Sequence, residues 1–117
     1  MRSVPSGEVL SRRVKTASPP LNPYAVTLVE GVQAHLDRID ELLATYAVGW
    51  TLDRMPAVDR NILRIGAYEL LWAEDVPDGV AISEAVGLAR ELSTEESPAY
   101  INGLLSRLQQ LKPSLTL

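Results

Sequence analysis

The 117-residue sequence predicts an all-α fold, a bundle of helices around one core. From Pro23 onward, apolar residues recur at three- and four-residue spacing, which is the period of a helix with one buried face. No segment alternates apolar and polar residues for long enough to predict a strand. Hydrophobic residues make up 46% of the chain, so one domain of this length can form a core without disulfides.

The first 22 residues are predicted to be a basic, proline-containing lead-in, followed by a helical domain over 23–117. Four basic residues and one acidic residue lie in the lead-in, whereas seven basic and 14 acidic residues lie in the helical domain. We expect the lead-in to be a solvated arm; the alternative is an arm that contacts nucleic acid or an acidic partner.

The first predicted helix covers 23–46. Charged residues such as Glu30, Asp37 and Arg38 lie opposite its apolar stripe. His35, the only histidine in the sequence, falls beside the stripe, so we interpret it as a boundary residue rather than a ligand or base. The stripe consists of Leu28, Val32, Leu36, Ile39, Leu42, Leu43 and Tyr46.

Three further helices follow, each with a proline at or just before its start. Pro56 is placed as a first-turn proline of the second helix, which has so few polar positions that we expect it to be nearly surrounded. The run Pro77-Asp78-Gly79 breaks the chain before the third helix. Ser97 and Pro98 are predicted as the cap and first-turn proline of the fourth.

Four glycines fall inside these predicted helices, where glycine costs about 1 kcal/mol relative to alanine. Close crossing of neighbouring helices would compensate for that cost. We therefore interpret these glycines as packing positions, with ordinary sequence drift as the alternative. They are Gly31, Gly66, Gly87 and Gly103.

The sequence offers little that is typical of an active site. It has no cysteine, which excludes a disulfide, a thiolate zinc site and a cysteine nucleophile. It also lacks a glycine-rich phosphate loop and a nucleophile elbow. No residue pattern therefore predicts a catalytic, cofactor or metal site, and acid–base catalysis stays open only in principle. No targeting signal or membrane-spanning window is present, so we expect a soluble cytoplasmic protein.

Glu69 is the one acid that the helical period places on an apolar face, in line with Val58, Ile62 and Ile65. An unpaired buried charge is costly, so this carboxylate should accept hydrogen bonds from an arginine or from backbone amides. We interpret Glu69 as a structural polar anchor, with an active-site acid as the alternative.

A second polar group lies on another side of the same helix. Arg60, Asn61, Arg64 and Tyr68 fall together there. Such a group is either a solvated face or a recognition surface in which arginine and tyrosine supply charge and hydrogen bonds. Periodicity leaves both interpretations open.

Several separated sequence blocks resemble one known family, and they occur in its order and spacing. The segment over 48–56 looks like the actinobacterial branch of that family. The blocks cover about 24–112 and are similar to the NusB family of transcription antitermination factors. They are Ala57-Val58-Asp59-Arg60-Asn61-Ile62-Leu63-Arg64-Ile65-Gly66-Ala67-Tyr68-Glu69-Leu70-Leu71, Asp75-Val76-Pro77, Ile82-Ser83-Glu84-Ala85, Leu88-Ala89, and Ser97 with Asn102-Gly103-Leu104-Leu105.

The resemblance implies a NusB-like helical bundle, here mainly its C-terminal subdomain plus the joining helix. It implies a protein without enzymatic activity that pairs with NusE, a ribosomal small-subunit protein. The pair would bind boxA-type leader RNA and act indirectly on the RNA polymerase antitermination complex at ribosomal RNA operons.

The resemblance also implies a NusE-binding side. Asp53 and Asp59 match acidic family positions that contact NusE, and Arg60 lies beside them. We expect both acids to be exposed, because they would face a basic partner.

An RNA-binding side is implied as well. Tyr46, Leu92 and Glu96 match family positions close to boxA, and Arg12 and Arg13 supply basic charge in the lead-in. Tyr46 can stack on an unpaired base. For Tyr46 and Leu92, the alternative is a side chain that closes the apolar stripe of its helix.

The chain departs from the family at its start, where family members carry an arginine-rich helix. We expect that helix to be absent here, which would weaken RNA binding and bare apolar surface that favours a homo-oligomer. Two other functions stay open at this stage. One is the accessory RNA-binding module of a ribosomal RNA cytosine methyltransferase, and the other is a NusB-fold interaction factor that has lost RNA binding.

Overall fold

The computed structural model describes residues 23–117, which are helical with no strand among them. This confirms the predicted all-α class; the lead-in over 1–22 lies outside the described residues. The helices are α1 (Pro23–Ala34), α2 (Leu36–Tyr46), α3 (Ala57–Leu71), α4 (Asp78–Leu92) and α5 (Ser97–Leu111), followed by a 3₁₀ turn over Lys112–Ser114.

The predicted first helix is in fact two helices that meet at His35. This residue has φ −113° and ψ 14°, away from helical values. Backbone hydrogen bonds nevertheless continue through it, from His35 N–H to the Gly31 carbonyl and from Ile39 N–H to the His35 carbonyl. The half-buried His35 ring stacks on Trp72 with centroids 4.4 Å apart. His35 is thus a boundary residue, as predicted, and its ring packs against the end of α3.

Helix α3 is the centre of the bundle and packs against each of the other four helices. Ten of its fifteen residues are buried, which confirms that it is nearly surrounded. Its apolar side chains meet those of α2 and α5 in one core. The largest fully buried core residues are Ile39, Leu43, Ile62, Leu63, Leu70, Ile101, Leu105 and Leu108.

The helix starts differ from the prediction by one position. Pro56 occupies the cap position of α3 with φ −54° and ψ 142°, rather than its first turn. Ser97 is the first residue of α5 rather than its cap, and no side chain caps that helix. The Ser97 hydroxyl instead donates to Asp59 Oδ2 at 2.6 Å. The Ser97 hydroxyl, which the local sequence predicts to cap the helix, therefore binds an acceptor that is distant in sequence.

Two of the four glycines predicted inside helices lie at close crossings. A Cβ added to Gly66 would lie 2.8 Å from Leu105 Cδ1 and 3.3 Å from Ala85 Cβ, and one added to Gly31 would collide with the Tyr68 ring. Added Cβ atoms at Gly87 and Gly103 would meet nothing within 4 Å. The packing interpretation therefore holds for the first two glycines and is wrong for the other two.

Candidate functional site

Asp59, expected to be an exposed acid, is buried with no accessible surface. It lies in the first turn of α3, and its carboxylate accepts hydrogen bonds from the hydroxyls of Ser93 and Ser97. Ser97 Oγ also lies 3.0 Å from Ser93 Oγ and 2.9 Å from Thr94 Oγ1. The expectation of exposure is wrong because serines about 35 positions along the chain enclose this carboxylate.

These hydrogen bonds join the start of α3 to the segment that connects α4 with α5. Carboxylate acceptors form stronger hydrogen bonds than neutral ones, and a buried carboxylate needs such donors to offset its lost hydration. The segment over 93–97 is thereby held at both ends, at Ser93 and at Ser97. Leu92 and Glu96, two of the residues expected near RNA, flank these anchored serines.

Asp53 is exposed, as expected, and lies in the loop between α2 and α3. The Thr51 carbonyl accepts hydrogen bonds from the N–H groups of Arg54 and Met55 at 3.1 and 3.0 Å, which closes a turn around Asp53. The guanidinium of Arg60 donates to the Leu52 carbonyl at 2.7 Å. Arg60, the other residue expected on the NusE side, therefore supports this loop from α3.

The polar group on α3 is neither a solvated face nor an open recognition surface. Asn61 is 1% exposed. Arg64 donates two hydrogen bonds of 2.8 Å to the carboxylate of Asp40 on α2. Tyr68 lies against Gly31 of α1. This side of α3 is instead the one on which α1 and α2 pack.

Tyr46 is half-buried at the end of α2 and packs against the core. The alternative interpretation, a side chain that closes the apolar stripe of its helix, therefore holds for the buried part of Tyr46. The guanidinium carbon of Arg107 lies 5.8 Å from the centroid of the Tyr46 ring, within the range of a cation–π contact. Sequence reasoning missed Arg107 because no local pattern relates it to an aromatic residue 61 positions earlier.

Leu92 is 41% exposed, so its interpretation as a core residue is wrong. It is the last residue of α4, so it lies at the end of that helix's apolar stripe. Glu96 is also exposed, just before α5. Beside both residues is an open groove of about 540 Å³, lined by Val86, Arg90, Ser93, Thr94, Glu95, Pro98, Ala99 and Asn102.

Glu69 is 8% exposed, which confirms that the helical period places it on a buried face. Its hydrogen-bond donor is the hydroxyl of Tyr24 on α1, at 2.5 Å, rather than an arginine or a backbone amide. Burial raises the pKa of the Glu69 carboxyl, and the nearby carboxylates of Glu84 and Asp75 raise it further, while the bond from Tyr24 lowers it. Burial and the Glu69 contact raise the pKa of the Tyr24 phenol. The geometry suits an anchor between α1 and α3.

The described part of the chain gives little support to a metal site or a membrane-spanning helix. Residues 23–117 contain no group of three or more histidine, aspartate or glutamate side chains arranged to hold a metal ion. None of the helices over this range is long and apolar enough to cross a membrane. Arg12 and Arg13, expected to contact RNA, lie outside the described residues.

Comparison with known proteins gives consistent matches over most of the chain. The model of the NusB family matches residues 5–110, which extends the resemblance seen over 24–112 into the lead-in. The transcription antitermination protein NusB of Thermobifida fusca (strain YX) is 64% identical over 117 residues, which are all of this chain and 82% of that protein.

Solved structures give the same result for the fold. T. maritima NusB matches with a TM-score of 0.73 and 29% identity, over 94% of this chain and 92% of that one. A crystal structure of antitermination factors NusB and NusE in complex with dsRNA matches with a TM-score of 0.74 and 26% identity, over 89% of this chain and 79% of that one.

Proposed function

Because this chain belongs to the NusB family, we propose that it is a cytoplasmic transcription antitermination factor that binds NusE and boxA-type leader RNA and catalyses no reaction. One observation carries the proposal. The fold matches a NusB that was solved with both NusE and RNA, over 89% of this chain. The match to 92% of T. maritima NusB also supports this function over an accessory module of a methyltransferase.

The loop over 51–56 is the proposed NusE-binding element. Asp53 is exposed there and presents a carboxylate to a basic partner. Arg60 holds the loop through the Leu52 carbonyl, so we assign it a positioning role. Asp59 is buried, so we assign it to the support of α3 and of the segment over 93–97, without direct contact with NusE.

The proposed RNA-binding side lies at the ends of three helices. Tyr46 ends α2, Leu92 ends α4, and Glu96 precedes α5. Leu92 and Glu96 are both exposed, which supports a role at a surface. We also propose that Arg12 and Arg13 of the basic lead-in over 1–22 contact RNA phosphates.

The test is a titration of purified protein with NusE and with labelled boxA RNA, followed by fluorescence anisotropy. We expect a complex with NusE, and tighter RNA binding by that complex than by either protein alone. Failure to bind NusE would refute the partner, and a NusE complex that ignores RNA would refute the RNA half of the proposal.

A charge reversal localises the NusE-binding side. Asp53→Lys should weaken NusE binding at least tenfold, because it places a cation where a basic partner is expected. Glu30→Lys, an equal charge change at an exposed position on α1, is the matched control and should leave NusE affinity nearly unchanged. Equal effects of the two variants would show that net charge, rather than the loop, determines the affinity.

A further inference from the structure

The basic side chains of residues 23–117 divide into two groups. Four of them are engaged with acceptors: Arg38 with Glu41 and the Thr116 carbonyl, Arg60 with the Leu52 carbonyl, Arg64 with Asp40, and Lys112 with Asp78. The other three donate no hydrogen bond and form no ion pair in the described part of the chain; they are Arg54, Arg90 and Arg107. In a helical domain with twice as many acids as bases, these three cations are the ones available to an anionic ligand.

Arg107 differs from the other two because it lies over an aromatic ring. It is exposed on α5, and its guanidinium carbon is 5.8 Å from the Tyr46 centroid. A ring beneath the guanidinium limits the positions that this long side chain samples, so less conformational entropy is lost when it binds a ligand. No carboxylate competes with a phosphate for this cation within hydrogen-bond distance in the described residues.

We propose that Arg107 is an RNA-contacting residue that neutralises a backbone phosphate, and that Tyr46 positions it. This inference rests on the proposed function and adds a residue and a role to it. Because the guanidinium lies over the face of the Tyr46 ring, Tyr46 acts through Arg107 and is not itself the stacking surface for a base. The two side chains, from the end of α2 and from α5, form one phosphate-binding unit.

The experiment measures RNA binding by the NusE complex over a series of salt concentrations. A single-stranded phosphate contact contributes about 0.7 to the slope of log affinity against log salt. Loss of that contact therefore costs about 10^0.7, or fivefold, in affinity at about 0.1 M salt. We expect Arg107→Gln to bind boxA RNA about fivefold more weakly, with a salt slope smaller by about 0.7. Arg38→Gln, an equal charge change at a side chain already engaged with Glu41 and the Thr116 carbonyl and outside both proposed binding surfaces, should alter neither quantity.

A double-mutant cycle tests the positioning role of Tyr46. Tyr46→Leu should weaken RNA binding in the wild type and have almost no further effect once Arg107 is glutamine. An equal loss in both backgrounds would mean that Tyr46 contacts RNA independently, which overturns the positioning role. The melting temperature and NusE affinity of Arg107→Gln should equal those of the wild type, so that a loss of RNA binding does not reflect unfolding.

The outcomes separate this inference from the proposed function. If the wild-type complex with NusE fails to bind boxA RNA, both the RNA half of the proposed function and the inference about Arg107 are overturned. Wild-type complex that binds RNA, with Arg107→Gln equal to it in affinity and salt slope, overturns the Arg107 contact alone. The Arg107 contact is also overturned if Arg38→Gln and Arg107→Gln lose equal affinity, because overall charge then explains the effect.

Discussion

Alanine at Gly66 and alanine at Gly87 should change stability in opposite directions, although both glycines lie inside helices. Replacing a helical glycine by alanine stabilises a helix by about 1 kcal/mol when the new methyl group has room. Gly87 has that room, because nothing lies within 4 Å of its added Cβ. At Gly66 the methyl group would lie 2.8 Å from Leu105 Cδ1, well inside the 3.5–4.0 Å optimum for carbon atoms.

The cost at Gly66 follows from the burial of its neighbour. Leu105 has no accessible surface, so its methyl group cannot move into solvent to relieve the contact. Overpacking of this kind costs about 1–3 kcal/mol. After the helix-propensity gain, Gly66→Ala should be destabilised by about 0–2 kcal/mol. Gly87→Ala should be stabilised by about 1 kcal/mol.

Urea denaturation of the two variants measures the difference directly, because the propensity term is common to both. We expect Gly66→Ala to be less stable than Gly87→Ala by about 1–3 kcal/mol, with an unchanged dependence of unfolding on urea. Equal stabilisation by the two substitutions would refute the close crossing of α3 with α5.

Two further predictions concern the buried acids. Asp59→Ala removes the acceptor of two hydroxyl donors, buried Ser97 and half-buried Ser93, and should lower stability by about 2–4 kcal/mol in thermal denaturation, whereas a loss below about 0.5 kcal/mol would contradict the structural role of this network. For Glu69, the raised pKa means that the folded state holds the proton more tightly than the unfolded chain. The stabilising contribution of this proton is complete below the usual pKa of 4.5 and is lost as pH rises through the raised pKa. Glu69→Gln should remove that loss, so wild-type and variant stabilities should diverge between acidic and neutral pH in favour of the variant; parallel pH profiles would contradict the raised pKa.

The periodicity of the sequence was sufficient to predict the helices and the burial of Glu69, because both depend on the helical period. It was insufficient at His35. The apolar stripe runs through that position without interruption, whereas the break coincides with ring packing against Trp72, which lies 37 residues away. Local pattern contains no information about such a contact.

The site residues were predictable only in part, for a similar reason. Asp53 is exposed as expected, because it is a loop acid that pairs with no side chain among residues 23–117 and stays in water. Asp59 has the same charge and lies at the start of a helix, where an acid is favourable by itself. Its burial depends on Ser93 and Ser97, which only the packing of α4 and α5 brings to it. The pair of Tyr46 and Arg107 is equally long-range.

Asp59 and Arg60 are adjacent in the first turn of α3, yet they hold different segments of the chain. Arg60 supports the loop that carries Asp53, and Asp59 anchors the segment beside Leu92 and Glu96. A shift of that single turn would therefore alter both proposed binding surfaces together, and we expect the two proposed ligands to be coupled through it. If both proposed ligands bind, thermodynamic linkage requires that the factor by which NusE tightens RNA binding equals the factor by which RNA tightens NusE binding.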